Sequence, residues 1–412
     1  MKKKPVLILI GTFDTKGDIF GYLYDRLKSD MWSVIAIDMG TQGSITNFPI
    51  DFDSSSVALF GGKSLSALVG DNLRNQVIEV MGRGAAKLIH QLNESHQIIG
   101  IIGAGGGGGT YMALQAMQAV PFGIPKICIS TMAAKDLSTQ VGTKDIILVP
   151  SVVDVSNLNS IIQPILDQSA AAIRGMSSEY LQHEVEVRNL HRIAISMFGN
   201  TTPCVENCIG LLDRDQFEVF TFHATGTGGM TMESLIREGL LDGVIDVTIT
   251  ELADFLCGGV CDAGPERLEA AVDVGLPQVV VPGCLDMVNF TYPDRVPVHY
   301  RDRNLYQWSP DVTLMRTNAE ENVRLGEMIM SKLNKTRTPI YVVLPLRGLS
   351  AIDKEGSEFH DPGANIALFE SIKQHKISDL IQIIDLDLHI NDKKFSEQLV
   401  NYYFRLIHQK KS

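Results

Sequence analysis

Residues 97–117, QIIGIIGAGGGGGTYMALQAM, place five consecutive glycines between an apolar segment and a helical one. Glycine loses more conformational freedom on ordering than any other residue, so such a run needs a reason. In open parallel sheets, ligands bind where strands end and helices begin. Three interpretations fit the run: an anion-binding loop, a tight packing turn or a flexible linker. We favour the first, because bare backbone lets a phosphate or carboxylate reach the first N–H groups of the helix.

The alternation of apolar strands and amphipathic helices continues along the chain. The apolar segments are continuous, which is typical of parallel strands that are covered on both faces. A polar stretch at 177–192, SSEYLQHEVEVRNLHR, interrupts the pattern, which then restarts. We therefore predict an α/β fold with two Rossmann-like subdomains, 1–185 and 186–412, each an open, doubly wound and mostly parallel sheet.

The composition excludes several classes of protein. The chain has 36 basic and 48 acidic residues and a net charge of −12, which disfavours nucleic acids and anionic membranes as partners. Its six cysteines form no Cys-x-x-Cys pair, so we expect reduced, buried thiols in a cytoplasmic protein and no metal site. The apolar run near the start, VLILI, is too short for a signal peptide or a membrane span.

Polar residues follow several predicted strands of the first subdomain. In GTFDTKG, 11–17, Lys16 could pair with phosphate and Asp14 could hold Mg²⁺ or a ribose. Asp38 ends the second strand, where nucleotide-binding folds often place a ribose-binding acid. The alternative for the first stretch is a turn with Lys16 in solvent, and the alternative for Asp38 is a solvated strand end. The residues predicted to bind a nucleotide are Gly11, Thr12, Asp14, Thr15, Lys16, Asp38, Gly105, Gly106, Gly107, Gly108, Gly109, Thr110, Ser130 and Thr131.

The second subdomain carries its own polar set. A glycine- and threonine-rich stretch between a strand and a helix predicts a second anion loop, formed by Thr225, Gly226, Thr227, Gly228 and Gly229. The acid–base candidates are Glu251, Asp254, Asp286 and Arg347. We expect these four side chains and Thr227 to line a polar cleft, with Arg347 as an anion clamp. Two structural alternatives remain: Thr248 and Glu251 form a helix capping box, and Arg347 pairs with an acid inside the fold.

A dozen ordered motifs resemble those of the Tm-one-like ATP-binding family, and they cover nearly the whole chain. The motifs are GTFDTKG, GAGGGGGT, STMAAKD, VGTKDI, SVVDVSNLN, TTPC, FHATGTGG, TELAD, VVVPGCLDMVNF, TLMRT, LPLRG and FHDP. The resemblance implies two Rossmann-like subdomains, ATP binding in the N-terminal one and a homodimer. Where members of the family carry a serine in the glycine loop, this chain has Gly107.

Two functions follow as expectations. The first is a protein that binds ATP or a related nucleotide, with Mg²⁺ as an accompanying ion. The alternative is an enzyme that acts on a small anionic metabolite in the cleft between the two subdomains. The sequence does not decide whether the protein catalyses a reaction.

Overall fold

The computed structural model describes residues 4–43, 46–70, 73–182 and 190–409. The contacts within the chain divide it into two units, Met1–Glu186 and Val187–Ser412. The boundary that the sequence predicts near residue 185 lies outside the described residues.

The first unit contains one parallel sheet with the strand order β2-β1-β3-β4-β5. Its strands are β1 (Pro5–Gly11), β2 (Ser33–Asp38), β3 (Gln97–Gly105), β4 (Lys126–Ser130) and β5 (Ile146–Pro150). Its helices are α1 (Phe13–Leu27), α2 (Ser54–Phe60), α3 (Leu65–Gly70), α4 (Arg74–Ser95), α5 (Gly107–Met117), α6 (Ser138–Val141) and α7 (Ile162–Gln182).

Hydrophobic clusters cover both faces of this sheet. Along β1, Val6, Ile8 and Ile10 belong to a cluster with α4 and α5. Leu7 and Leu9 point to the opposite face and belong to a cluster with α1 and α7. Because side chains alternate along a strand, a continuous apolar run can supply two cores at once. The predicted doubly wound architecture is confirmed.

The second unit contains a six-stranded parallel sheet with the order β14-β13-β9-β8-β6-β7. Its strands are β6 (His191–Met197), β7 (Phe217–His223), β8 (Gly243–Thr248), β9 (Gln278–Gly283), β13 (Ile340–Pro345) and β14 (Ile381–Leu386). Its helices are α8 (Thr202–Leu211), α9 (Thr227–Arg237), α10 (Thr250–Cys257), α11 (Ala270–Val274), α12 (Ala319–Leu333), α13 (Pro362–Gln374) and α14 (Lys393–Gln409). Helices again cover both faces.

An antiparallel sheet that the sequence analysis missed follows β9. It has the order β10-β12-β11 and consists of β10 (Met287–Phe290), β11 (Leu305–Ser309) and β12 (Val312–Arg316). The short helices α2 and α3 were missed as well. Three 3₁₀ turns complete the described elements: Gly199–Thr201, Pro293–Arg295 and Val298–Tyr300. Among the described residues, no helix combines the length and the apolar character that crossing a membrane requires.

Candidate functional site

A cavity of about 530 Å³ lies beside the glycine run of the first unit. Residues that follow β1, β2 and β3 contribute to it. In the strand order of this sheet, connections from β1 and β3 leave in opposite directions, and ligands of doubly wound folds bind at this switch point. The cavity is lined by Thr12, Asp14, Thr15, Lys16, Met39, Gly40, Thr41, Gln42, Leu68, Val69, Arg74, Val77, Ile78, Gly106, Gly107, Gly108, Gly109 and Met112.

The glycine turn, residues 106–109, forms the start of α5 and one wall of the cavity. Thr110 follows this turn, and its N–H donates to the Gly106 carbonyl at 2.8 Å. It is the first N–H group of the helix that has a backbone acceptor. The N–H groups of Gly107, Gly108 and Gly109 lie in the first helical turn, which offers them no acceptor within the helix. Gly106 is the N-cap residue, and it has no side chain that could satisfy them.

Packing does not require glycine at most of these positions. A Cβ atom added at Gly107 would meet nothing within 4 Å, and one at Gly106 or Gly109 would make only ordinary contacts at 3.9–4.0 Å. None of the three has a positive φ. Gly105 differs, because its Cβ would lie 2.8 Å from the backbone of Gly109. The packing-turn interpretation therefore holds for Gly105, whereas the glycines that face the cavity leave it bare.

Two cations face the cavity, and one of them was not among the sequence candidates. Neither the Lys16 ammonium nor the Arg74 guanidinium has a hydrogen-bond or ion-pair partner in the part of the chain that the structure describes. Arg74 is the first residue of α4 and does not follow a strand, so its place at the cavity could not be expected from the ends of the strands. Together with the helix N-terminus, the two side chains favour negative charge at this place.

Asp14 also lines the cavity and shapes part of its wall. Its Oδ2 accepts hydrogen bonds from the N–H groups of Thr41, at 2.7 Å, and Gln42, at 3.0 Å. A Cβ at Gly40 would lie 2.4 Å from the Asp14 carboxyl carbon, so glycine is required there. Asp14 Oδ1 is buried and has no hydrogen-bond partner among the described residues. The stretch 11–17 comprises the last residue of β1, the N-cap residue Thr12 and the beginning of α1, with a non-helical residue at Lys16.

Several predicted nucleotide-binding residues support the cavity without lining it. Asp38 Oδ1 accepts hydrogen bonds from Phe13 N, at 3.0 Å, and Gly40 N, at 2.8 Å, which positions two cavity walls. A Cβ at Gly11 would lie 1.9 Å from the ring of Phe20. The residues in this supporting group are Gly11, Asp38, Gly105, Thr110, Ser130 and Thr131.

Thr110 and Ser130 form a buried contact beneath the glycine turn. Their hydroxyl oxygens are 2.6 Å apart, and Thr110 Oγ1 also donates to the Gly105 carbonyl at 3.2 Å. The Thr131 N–H donates to the same carbonyl at 3.2 Å. Thr110 therefore holds the start of α5 against β4 and lies beneath the cavity, outside its lining.

The glycine loop of the second unit is closed by a carboxylate of the protein itself. Glu251 Oε1 accepts hydrogen bonds from Gly226 N, at 2.8 Å, and Gly229 N, at 3.0 Å. These are the N-terminal groups of α9 that the sequence analysis assigned to an external anion. A Cβ at Gly229 would lie 2.2 Å from Glu251 Oε2, so this glycine makes room for the acid.

Glu251 belongs to a buried ionic cluster around Arg267. The guanidinium donates to Glu251 Oε2 at 2.6 Å, to Asp246 at 2.7 Å and to Glu233 at 3.2 Å. Burial raises the pKa of both Glu233 and Glu251, and the positive charge of Arg267 opposes the rise. The predicted capping box does not form, because the N-cap residue of α10 is Ile249 and makes no side-chain cap.

The remaining acid–base candidates bond to separate partners. Asp254 accepts from Asn289 Nδ2 at 2.8 Å and from Cys261 N at 3.0 Å, and burial raises its pKa to about 7. Asp286 accepts from Ser350 Oγ at 2.7 Å. Arg347 pairs with Asp387 at 2.7 Å in an exposed ion pair. The hydrogen bonds therefore give no support to a shared catalytic constellation of Glu251, Asp254, Asp286 and Arg347.

A larger cavity in the second unit lies away from these residues. It measures about 900 Å³ and is lined by residues at the amino ends of the strands, among them His191, Phe217, Asp242 and Pro277. Asp242 is held by Arg192 at 3.0 Å. All six cysteines are buried and free, and within the described residues no group of three or more His, Cys, Asp or Glu side chains is arranged to hold a metal ion.

The fold and the cavity define an α/β protein of two Rossmann-like units, with a bare glycine turn at the switch point of the first. The chain belongs to the UPF0261 family. Residues 5–182 match the model described as the Uncharacterised protein family (UPF0261) N-terminal domain, and residues 190–407 match its C-terminal domain.

Relatives match across both units. A UPF0261 protein of Clostridium tetani is 42% identical over 396 residues, which cover 96% of this chain and 97% of the relative. A UPF0261 protein of Rhizobium meliloti is 39% identical over 96% of this chain and 98% of the relative. The ToMV resistance protein Tm-1(GCR237) of Solanum lycopersicum is 33% identical over 98% of this chain, which spans 56% of the tomato protein.

Proposed function

We propose that the first unit binds a nucleotide, ATP foremost, with its phosphates against the N–H groups of Gly107, Gly108 and Gly109. The observation that carries this proposal is a bare, uncapped helical turn that opens into a cavity, where two cations without a partner among the described residues also lie. A helix N-terminus of this kind supplies both hydrogen-bond donors and a partial positive charge to an anion.

The other walls of the cavity suit the rest of such a ligand. Its volume of about 530 Å³ lies within the range of small-molecule sites. Met39, Leu68, Val77 and Ile78 supply apolar surface against which a base or a ribose can pack. Lys16 and Arg74 supply the charge that phosphate groups need, and Arg74 adds a planar fork of donors.

We assign to Asp14 Oδ1 the contact with a Mg²⁺ ion that the nucleotide carries. This oxygen is buried and unpartnered among the described residues, while Oδ2 of the same carboxylate is held by two N–H groups. Magnesium is usually bound through one or two carboxylates together with the phosphates of the ligand. The positive ion would also offset the repulsion between the Asp14 carboxylate and the phosphates.

The resemblance to the Tm-one-like ATP-binding family supports ATP as the nucleotide and a homodimer as the assembly. Sedimentation of the full chain would test the assembly. The four acid–base candidates of the second unit bond to separate partners, so we propose no second function for them.

Calorimetry with the full chain tests the proposal. ATP with Mg²⁺, ADP, AMP and adenosine are titrated separately, and we expect the affinity to fall as phosphates are removed. Arg74→Gln should weaken ATP binding by about tenfold or more, because one charge-assisted contact is lost. Lys87→Gln, which removes an exposed charge from the same helix outside the cavity, is the matched control. The proposal fails if folded wild-type protein binds none of the phosphorylated ligands at millimolar concentration.

A further inference from the structure

Two acids of the second unit, Asp286 and Asp353, lie where the chain leaves neighbouring strands of the large sheet. Asp286 follows β9, and Asp353 follows β13. Both are fully buried. We refer to these two residues as the acid pair. Leu349 and Ser350 lie between β13 and Asp353 in the sequence. Leu349 N donates to Asp353 and Ser350 Oγ donates to Asp286, so this short segment joins the two acids.

The two carboxyl groups have unequal hydrogen bonding. Asp353 Oδ2 accepts from Leu349 N at 2.9 Å and from Asn365 Nδ2 at 2.7 Å. Asp286 Oδ2 accepts from Ser350 Oγ at 2.7 Å. Within the described residues, Oδ1 of each acid is buried without a hydrogen-bond partner. Asp353 is therefore the better stabilised anion, and Asp286 the better site for a proton.

The positive charge beside the acid pair does not balance two negative charges. Arg316 donates to the Phe359 carbonyl at 2.7 Å and to Asn365 Oδ1 at 2.8 Å, so its guanidinium is largely occupied by neutral acceptors. Its ion-pair distance to Asp353 Oδ1 is 3.7 Å. If both acids were ionised, this dry region would carry two anions and one cation, and burying an excess charge is costly.

Two further titratable groups, Cys284 and His389, lie near the pair. Burial, and then the charges of the two acids, raise the pKa of the Cys284 thiol well above its usual range. His389 Nε2 lies 2.9 Å from the Ser350 carbonyl, and its Nδ1 accepts from Asn391 N at 3.1 Å. These contacts fit the neutral ring with hydrogen on Nε2. Neither group supplies the missing positive charge.

We propose that Asp286 is a neutral carboxylic acid in the closed form at acidic pH, and that its ionisation as the pH rises towards neutral loosens the carboxyl edge of the large sheet in the second unit. The proton leaves Asp286 for solvent when the segment opens, and the excess negative charge then opposes reclosure. This makes the second unit sensitive to pH, independently of nucleotide binding in the first.

The direction of the effect follows from linkage. Burial, together with the charge of Asp353, raises the pKa of Asp286 to about 7, whereas the opened segment has the ordinary value near 4. Because the closed form holds the proton more tightly, its extra stability is complete below the ordinary pKa. That stability is then lost as the pH rises to about 7.

Hydrogen exchange of the full chain, followed by mass spectrometry at several values between about pH 5 and 9, tests the proposal. After correction for intrinsic exchange, protection of peptides over 284–290 and 346–356 should fall by up to about tenfold for each pH unit below 7. Peptides from β1 should show no such trend. Protection that is constant with pH at both segments would overturn the proposal. Protection that depends on K⁺ or Na⁺ at fixed pH would assign a bound cation instead, and would equally overturn it.

Two variants separate the roles of the acids. Asp286→Asn keeps an oxygen for Ser350 and replaces the acid by a neutral amide, so it should remove the pH trend and retain the protection seen at low pH. Asp353→Asn removes the anion that faces Arg316 and should lower protection at every pH. Equal effects of the two variants, or an unchanged trend in Asp286→Asn, would contradict the proposal. If Asp286→Asn does not fold, the infrared spectrum of Asp254→Asn decides, because burial also raises the pKa of Asp254 to about 7 and its band must first be removed. A carboxylic-acid band at about pH 5 that disappears above about pH 7 supports the proposal, and its absence overturns it.

Discussion

Replacing Gly107 by valine puts a branched side chain on the bare wall of the first unit's cavity. The added Cβ meets nothing within 4 Å, so the substitution fits the folded protein. Glycine is also a poorer helix former than valine, so we expect the free energy of unfolding to change by less than about 0.5 kcal/mol. The effect should therefore appear in ligand binding and not in stability.

The size of the binding effect follows from the donors that valine would cover. A hydrogen bond to a charged group contributes about 1.5–3 kcal/mol, and the two methyl groups should displace a phosphate from at least one N–H. The expected loss in affinity for ATP is therefore about 10- to 150-fold. Gly107→Ser should lose much less, because a hydroxyl can itself donate to phosphate.

Calorimetry measures the affinity, and thermal unfolding measures the stability of the same samples. Gly175→Val is the matched control, because this glycine also lies in a helix of the first unit with open space around its Cβ position. Unchanged ATP affinity in folded Gly107→Val protein would refute the placement of the phosphates. A collapse of stability in Gly107→Val alone would show that the turn requires glycine for packing.

Three further substitutions test the second unit. Arg267→Met should lower the free energy of unfolding of this unit by about 3–5 kcal/mol, because three buried acids lose their cation. A decrease of less than about 1 kcal/mol in chemical unfolding would contradict this account of the cluster. Gly229→Ala should lower stability by about 1–3 kcal/mol without any ligand present, since the new methyl group would overlap the Glu251 carboxylate; an unchanged unfolding midpoint would argue against the closed loop. Arg347→Ala should leave the unfolding midpoint where it is, because the Asp387 pair is exposed; a large shift would show that Arg347 has a further partner.

The strands of both large sheets could be predicted because their apolar runs are unambiguous. PVLILIG and QIIGIIGAG, for example, became β1 and β3 with the predicted parallel pairing. The antiparallel sheet was harder, because LYQWS and VTLMR are short and partly polar. Such strands are defined by the partner they meet and not by a local pattern.

The candidate site could be located, but its details could not. The glycine run marks the place, since no other residue type leaves a helix N-terminus bare. The place of Arg74 at the cavity could not be inferred, because Arg74 begins a helix that does not follow a strand in the sequence. Only the folded chain brings this residue to the cavity. Asp38 has the residue type of a ligand contact, yet the N–H groups of Phe13 and Gly40 occupy its carboxylate. Tertiary contacts decide which polar groups already have hydrogen-bond partners. A local sequence pattern does not reveal those contacts.

Glu251 bonds to N–H groups of the second glycine loop, whereas the N-cap residue of the first loop, Gly106, has no side chain that could do so. A tethered carboxylate competes with free anions at its effective concentration, which for a fixed and buried group far exceeds the millimolar range of flexible tethers. Free phosphate or carboxylate would have to displace an anion that already bonds to Gly226, Gly229 and Arg267. Changes in the concentrations of small anions should therefore leave the second loop closed.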